Sequence, residues 1–165
     1  MGSVLKVGLG YDAHHFAEGR PLILGGVKIP YSRGLRGHSD ADALCHALAD
    51  ALLGAVGAGD IGQLFPDTDP QYRGISSLTL LSKVKDLLLG KGAHIVNLDA
   101  TLVLEEPPVS GYFGQMREKI ASALKTGVNS VSVKATRNEG MGFVGRGEGV
   151  AALAIALVAM TSTDG

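Results

Sequence analysis

The stretch SDADALCHALADALL, residues 39–53, decides the fold. Its leucines recur at every fourth position, the spacing of a helix with one apolar stripe, and they are Leu44, Leu48 and Leu52. Ser39, followed three residues later by Asp42, resembles a capping box with Asp in place of Glu. The stretch therefore predicts a helix over residues 39–53 that begins at Ser39.

The same helix carries a polar row away from its leucines. His46 lies four residues after Asp42 and four before Asp50, so the three side chains share one face. Such a row is typical of a solvated helix face, and that interpretation stays open at this point. The alanine and leucine content all round the helix favours burial instead, and a buried histidine needs polar partners. Cys45, about 100° away round the helix, is typical of a small core residue.

A short motif upstream offers partners for His46. Residues 4–11 predict a strand that enters the core. Asp12 and His14 follow two positions apart, so in extended backbone they point to the same side. A carboxylate oxygen and an imidazole nitrogen then converge, and a third ligand would complete a catalytic zinc site with its fourth position left for substrate. We expect His46 to be that ligand; a hydrogen-bonded Asp–His pair is the alternative.

Strands and helices alternate along the rest of the chain, which predicts one domain over residues 1–165 with an α/β layer architecture. Residues 149–160 fit both a helix and a buried strand. The other predicted elements are short hairpin strands at 21–26 and 27–31, helices at 77–89 and 114–124, and strands at 95–104 and 130–135.

Charge and composition exclude several classes of function. Fifteen basic and sixteen acidic residues leave a net charge of -1, which argues against a basic nucleic-acid face and a polybasic membrane patch. The longest apolar run, 150–160, is shorter than the ~20 residues of a membrane span. No leader pattern stands at the N-terminus. We therefore expect a cytoplasmic protein that binds neither nucleic acid nor membrane, or a plastid protein if a transit peptide has been removed.

Glycine is enriched, at 24 residues, and five of these glycines fall within residues 140–149. Backbone N–H groups in such a segment can form an anion-binding nest, although structural turns explain glycines equally well. The segment is neither a P-loop nor a dinucleotide-binding fingerprint. Acidic loops at 60–62 and 67–69 would need cations beside a phosphate-bearing substrate.

Taken in order, six motifs resemble one family, the 2-C-methyl-D-erythritol 2,4-cyclodiphosphate synthases, over about residues 6–160. The resemblance implies a four-stranded mixed sheet with helices packed on one face. It also implies a homotrimer with its sheets around a threefold axis, an architecture like that of chorismate mutase. The motifs are Gly10-Tyr11-Asp12-Ala13-His14, residues 37–42, His46, Asp60-Ile61-Gly62, residues 65–70 and residues 145–149.

The resemblance implies a reaction and its cofactors. The substrate would be 4-diphosphocytidyl-2-C-methyl-D-erythritol 2-phosphate, and the products 2-C-methyl-D-erythritol 2,4-cyclodiphosphate and CMP, in non-mevalonate isoprenoid biosynthesis. The active sites would lie between neighbouring chains. Zn²⁺ would be held by Asp12, His14 and His46, and Mg²⁺ or Mn²⁺ by Glu139 together with the substrate diphosphate.

The resemblance also implies residue roles. Catalysis would involve His38 and Arg137, and an isoprenoid diphosphate could occupy a cavity on the threefold axis near Phe143 and Arg146. The implied substrate-binding set is Asp12, Ala13, His14, His38, Ser39, Asp60, Ile61, Gly62, Phe65, Pro66, Asp67, Thr68, Asp69, Leu104, Pro107, Pro108, Val109, Ser110, Ala135, Thr136, Arg137, Asn138, Glu139, Phe143 and Arg146.

Two departures from the family pattern affect phosphate and nucleotide binding. Arg137 stands where the family usually has a small hydroxyl residue, and the run 106–110 lacks the usual lysine. No serine or cysteine is placed as a nucleophile, as expected where the substrate supplies its own. Two other functions remain open from the sequence: a zinc-dependent phosphoesterase with a metal-bound hydroxide, and a non-catalytic trimeric module that binds nucleotide or metal.

Overall fold

The computed structural model describes residues 2–161, in which four strands precede three helices and strands then alternate with helices from Ala93 onward. The strands are β1 (Ser3–Ala17), β2 (Leu22–Leu24), β3 (Val27–Ile29), β4 (Gly34–Leu35), β5 (Ala93–Val103), β6 (Val131–Thr136) and β7 (Gly149–Thr161). The helices are α1 (Ala43–Ala55), α2 (Ile61–Leu64), α3 (Ser77–Gly90), α4 (Phe113–Leu124) and α5 (Gly142–Gly145). The outermost positions of the expected domain 1–165, residues 1 and 162–165, lie outside the described part.

The described residues form a mixed sheet of five strands in the order β4-β1-β7-β5-β6, where four were expected. The extra strand, β4, is two residues long and pairs with Phe16 and Ala17. It is present because β1 continues to Ala17, well past the predicted end at residue 11, and leaves an edge that Gly34 and Leu35 cover. β5 and β6 are parallel, and the other long pairs are antiparallel. The short strands β2 and β3 make a separate hairpin, as the sequence predicts.

The ambiguous segment 149–160 is a strand. As β7 it pairs with β1 on one side and β5 on the other, so its uninterrupted apolar sequence belongs to a central strand of the sheet. Its alanines at 152, 154 and 156 are buried, whereas Leu153 and Ile155 between them are 41% and 49% exposed. One face of the sheet is thus covered by helices and the other is open.

Two glycines of β1 bring α1 unusually close to the sheet. A Cβ placed on Gly8 would lie 1.9 Å from the carbonyl oxygen of Ala51, and one on Gly10 would lie 1.8 Å from that of Ala47. Only a residue without a side chain fits at this distance. The helix therefore rests directly on β1, just before the strand positions Asp12 and His14.

The predicted start of the first helix was wrong by four residues. The helix begins at Ala43, and Asp42 is its N-cap, with Oδ1 accepting from the backbone N–H of Cys45 at 3.1 Å. The same buried carboxylate accepts from the N–H groups of Gly25 and Gly26, at 2.9 and 2.7 Å. Asp42 rather than Ser39 is the N-cap because its carboxylate accepts hydrogen bonds from both the β2–β3 turn and the first turn of the helix. Within residues 2–161, no helix is long and apolar enough to cross a membrane.

Candidate metal centre and substrate cavities

The three predicted metal ligands meet in one pocket. Asp12 and His14 project from the same side of β1, and His46 reaches them from α1. Asp12 Oδ2 lies 2.8 Å from His14 Nε2 and 3.1 Å from His46 Nδ1. The two imidazole nitrogens lie 3.3 Å apart. His46 is buried and the other two are half-buried, so the group forms a recessed cluster rather than a solvated row.

Hydrogen bonding to the backbone sets the tautomer of His14. Its Nδ1 lies 2.7 Å from the carbonyl oxygen of Arg36, which can only accept, so Nδ1 carries the proton. Nε2 is then the nitrogen available to a metal ion, and without a metal it lies in hydrogen-bond contact with Asp12. A fixed tautomer with the free nitrogen directed at the other ligands is typical of histidines that bind metal.

The spacing of the three ligand atoms fits a small divalent cation. Ligands about 2.05 Å from a tetrahedral zinc ion lie about 3.3 Å from one another, and the distances here are 2.8, 3.1 and 3.3 Å. One carboxylate and two imidazoles are a donor set that zinc accepts, and three protein ligands leave a position for substrate. The described residues Asp12, His14 and His46 could therefore hold a metal ion.

The charges in the pocket reinforce one another. Burial opposes the charge of Asp12, but hydrogen bonds from His14 and His46 outweigh it and hold the pKa of Asp12 below its usual value. Burial likewise opposes the charge of His14, but the hydrogen bond and negative charge of Asp12 raise the pKa of His14 above its usual value. The pocket thus stabilises a negative carboxylate that attracts a cation. Cys45 is buried outside the ligand group, as the sequence predicts, and burial raises the pKa of its thiol.

A cavity of about 60 Å³ adjoins the exposed edge of His46. Six predicted substrate-binding residues line it, together with Tyr72, Ile75 and Leu80, which the sequence did not indicate. The predicted six are His38, Ser39, Ile61, Gly62, Phe65 and Asp67. The lining of this cavity therefore comes from the segment before α1, from α2 and the loop after it, and from the start of α3 with the segment before it.

The loop after α2 is held by its own contacts. Phe65 packs edge-on against Tyr72, with ring centroids 5.3 Å apart. Asp69 caps the short 3₁₀ turn that follows, its Oδ1 accepting from the N–H of Gln71 at 3.0 Å. Asp60 caps α2 through the N–H of Gln63 at 2.9 Å. Pro66 and Thr68 complete the loop.

A second cavity, of about 230 Å³, lies where β5 and β6 finish, toward the opposite edge of the sheet from β4 and β1. It contains eight residues of the predicted substrate set, along with Glu105 and Phe113. The eight are Leu104, Pro107, Pro108, Val109, Ser110, Ala135, Thr136 and Arg137. The parallel pairing of β5 with β6 explains this grouping, because parallel strands end at the same edge.

Glu139 does not join the Asp12–His14–His46 group within the described chain. It is exposed on a turn and has a φ of 53°, in the left-handed region. Glu105 stabilises this turn, because its Oε1 accepts a hydrogen bond from the N–H of Asn138 at 2.8 Å. Phe143, on α5, shares a small cavity with Ala13 and His14, and Arg146 pairs with Glu148 at 2.7 Å.

Two groups around the metal pocket escaped the sequence analysis. The Arg36 carbonyl orients His14, and the hydroxyl of Ser77 lies 2.9 Å from Nε2 of His46. Ser77 is 31 residues from His46 along the chain, and nothing in the local sequence marks it. Only the packing of α3 beside α1 brings the two together.

A mixed α/β sheet, a recessed carboxylate–imidazole–imidazole cluster that could hold a metal ion and a cavity beside it are features of an α/β enzyme with a candidate metal site. The YgbB family matches residues 5–159 of this chain. A 2-C-methyl-D-erythritol 2,4-cyclodiphosphate synthase from Pelotomaculum thermopropionicum is 55% identical over 157 residues, covering 95% of this chain and 97% of the relative. The chain belongs to this family of cyclodiphosphate synthases, and it is a lyase of isoprenoid biosynthesis.

Solved structures agree with that assignment. The bifunctional IspDF from Campylobacter jejuni superposes with a TM-score of 0.93 at 38% identity, covering 98% of this chain and 44% of that larger one. A 2C-methyl-D-erythritol-2,4-cyclodiphosphate synthase in its CDP-bound form has a TM-score of 0.85 at 36% identity, covering 93% of this chain and 99% of that one.

Proposed function

We propose that the metal pocket and the two cavities are parts of one site, which forms 2-C-methyl-D-erythritol 2,4-cyclodiphosphate and CMP from 4-diphosphocytidyl-2-C-methyl-D-erythritol 2-phosphate. The 2-phosphate oxygen attacks the β-phosphorus, and the bond from that phosphorus to the CMP oxygen breaks. The observation that carries the proposal is the convergence of Asp12, His14 and His46 within 3.3 Å beside a cavity. Positioning and charge neutralisation are the main tasks of a protein in phosphoryl transfer.

Two cations complete the proposed site. We assign Zn²⁺ to Asp12, His14 and His46, and Mg²⁺ or Mn²⁺ to Glu139 together with the substrate diphosphate. When bound, these ions supply charge neutralisation and polarisation of phosphate oxygens. The donor types support the assignment, since imidazole suits zinc and carboxylate suits magnesium and manganese.

The chain's own residues would position the substrate at its two ends. His38 and Ser39, at the cavity beside His46, face the methylerythritol phosphate, and residues 65–69 cover it. Asp60 holds the ribose hydroxyls, and Ile61 and Gly62 lie beside it. The larger cavity takes the cytidine and α-phosphate through the eight residues named above. Arg137 and Thr136 border that cavity, which supports a role for Arg137 in stabilising charge on the phosphate.

A homotrimer would bring the metal pocket of one chain next to the larger cavity of a neighbouring chain. The sheet face away from the helices exposes apolar side chains on paired strands: Val7, Leu9 and Tyr11 of β1 are 68%, 67% and 54% exposed. Leu9 and Tyr11 pair with Ile155 and Leu153 of β7. A contiguous apolar face of this kind marks a protein–protein interface, and supports packing of three sheets round an axis. Phe143 and Arg146 would then lie near that axis, where an isoprenoid diphosphate could bind.

The remaining assignments concern extent and location. We propose that residues 1–165 form one synthase domain, which the match over residues 5–159 supports. The bacterial relatives support a cytoplasmic location.

Phosphorus NMR of the cytidylyl substrate with protein, zinc and magnesium tests the reaction directly. The expected products are a cyclic diphosphate and CMP in equal amounts. Release of inorganic phosphate would instead support a phosphoesterase, and tight nucleotide binding without turnover would support a non-catalytic module.

A further inference from the structure

A buried serine stands behind His46, on the side away from the metal pocket. Ser77 is the first residue of α3 and is fully buried. Its Oγ lies 2.9 Å from Nε2 of His46, so the imidazole touches the pocket with one nitrogen and Ser77 with the other. The sheet does not position Ser77; the packing of α3 against α1 does.

A carboxylate fixes the direction of that hydrogen bond. The hydroxyl of Ser77 also contacts Oδ1 of Asp40, and the backbone N–H of Ser77 donates to Oδ2 of Asp40 at 3.0 Å. An ionised carboxylate can only accept, so the hydroxyl proton of Ser77 goes to Asp40. Ser77 Oγ must then accept from Nε2–H of His46. Nδ1 is then the nitrogen that faces Asp12 and His14 and can bind the metal; without a metal, Oδ2 of Asp12 lies 3.1 Å from it and competes for the proton.

We propose that Ser77, oriented by Asp40, is a positioning residue that holds His46 in the tautomer and ring orientation required to bind the metal. The inference rests on the proposed metal site. It differs from that site in concerning two residues that touch neither metal nor substrate. Partners of this kind act on metal affinity through the ligand that they orient.

Two backbone contacts hold this arrangement in place. The N–H of Asp40 donates to the carbonyl of Ile75 at 3.3 Å, and the N–H of Gly74 donates to the carbonyl of His38 at 2.8 Å. These bonds fasten the segment before α1 to the segment before α3. Asp40 and Ser77 are therefore held at a fixed distance from each other. The position of Ser77 in turn sets the orientation of the His46 ring.

Ser39 provides an internal contrast. Its Oγ lies 3.2 Å from the same Nε2 atom and also accepts from the N–H of Ala41 at 3.1 Å. Among residues 2–161 no carboxylate accepts its proton, and Ser39 borders the cavity beside His46. Ser39 can therefore take part of the Nε2–H bond when Ser77 is lost, which limits the expected effect to a partial loss of affinity.

The first test is zinc affinity, measured by competition with a chromophoric chelator on the purified full-length protein. We expect Ser77→Ala to weaken zinc binding about 10- to 100-fold. Ser82→Ala, on the same helix, is the matched control and should leave affinity unchanged. His46→Ala separates the two hypotheses: if it too retains zinc, the metal site is wrong. If His46→Ala loses zinc while Ser77→Ala binds as the wild type does, only the role of Ser77 is wrong.

The second test keeps the buried hydroxyl and so guards against misfolding of the alanine variant. In Asp40→Asn, the amide can donate to Ser77 Oγ, which turns the Ser77 proton toward His46 and favours Nδ1–H. Asp12 draws a proton to Nδ1 equally in both proteins when no metal is bound, so we expect ¹⁵N NMR of the metal-free proteins to show a smaller share of the His46 proton on Nε2 in the variant than in the wild type. Zinc binding should weaken in Asp40→Asn but fall no further in the double variant with Ser77→Ala. An unchanged tautomer, or losses that simply add, would overturn the proposal.

Discussion

The metal pocket and the Glu139 turn differ in how much of each a single chain completes. Asp12, His14 and His46 come from two elements that touch directly, and their ligand atoms lie within 3.3 Å of each other. Glu139 and Arg137, by contrast, are exposed at the end of β6. The metal half of the proposed site is therefore organised within one subunit, whereas the half that contains Glu139 and Arg137 is exposed in the single chain.

Different physical devices produce the two halves. Close approach of α1 to β1 and hydrogen bonds to both histidines orient the side chains of the metal pocket. At the Glu139 turn the backbone is fixed instead. The carboxylate of Glu105 accepts a hydrogen bond from the N–H of Asn138, and Glu139 itself has a left-handed backbone conformation. Preorganised ligands favour a resident metal, whereas an exposed carboxylate on a fixed turn suits an ion that arrives with its substrate.

The largest effect should come from removing the close approach itself. Gly10→Ala would place a Cβ 1.8 Å from the backbone oxygen of Ala47, and neither backbone can yield without separating α1 from β1. We expect a loss of about 4 kcal/mol or more in the free energy of unfolding, measured by denaturant titration. The control is Gly54→Ala in α1, where nothing lies nearer than 4.0 Å; it should be neutral or stabilising. Equal stability of the two variants would contradict the packing described here.

His46→Ala should remove function while keeping the fold. The side chain is one of the three proposed zinc ligands, so we expect loss of bound zinc and at least a thousandfold loss of turnover, about 4 kcal/mol in the barrier. Elemental analysis and the phosphorus assay measure the two losses. His94→Ala, an exposed histidine of β5, is the control. Full zinc occupancy in His46→Ala would remove His46 from the ligand set.

Mixing two inactive variants tests whether the halves belong to different chains. In a closed ring, each chain gives its metal half to one neighbour and its Glu139 half to the other. A site in a mixed trimer works only if its metal half comes from a Glu139→Ala chain and its other half from a His46→Ala chain. After unfolding and refolding in equal amounts, that probability is one half times one half, so about a quarter of wild-type activity should return under this symmetric-ring model.

Native mass spectrometry of the refolded sample is the control for that experiment. It must show trimers that contain both variants. If such trimers form and activity stays at the level of the separate variants, both halves of each site lie on one chain.

The clustering of Asp12, His14 and His46 could be predicted because the positions of these residues follow from short-range rules. Alternation along β1 sets Asp12 and His14 side by side, and the helical repeat turns His46 away from its leucines. The cap at Asp42 and the contact at Ser77 could not be predicted. Asp42 takes the cap position because its carboxylate also binds the N–H of Gly25, seventeen residues earlier. Ser77 contacts His46 only because α3 packs against α1. Long-range contacts of this kind leave no periodic signal.

The smallest expected effect belongs to the open half of the site. Arg137→Thr restores the hydroxyl that the family usually has there. Arg137 is exposed and borders the larger cavity, so its guanidinium is well solvated until substrate binds, and backbone groups of the same turn remain as donors. We expect kcat/KM to change by no more than about tenfold, or about 1.4 kcal/mol. The control is Arg73→Thr, which makes the same change of charge at an exposed loop position. Arg117→Thr would be unsuitable, because Nε of Arg117 donates to the carbonyl of Val131 at 2.7 Å. A thousandfold loss in Arg137→Thr alone would mean that this chain has moved its main phosphate contact onto Arg137, and the open half would then depend on one side chain as strongly as the metal pocket depends on His46.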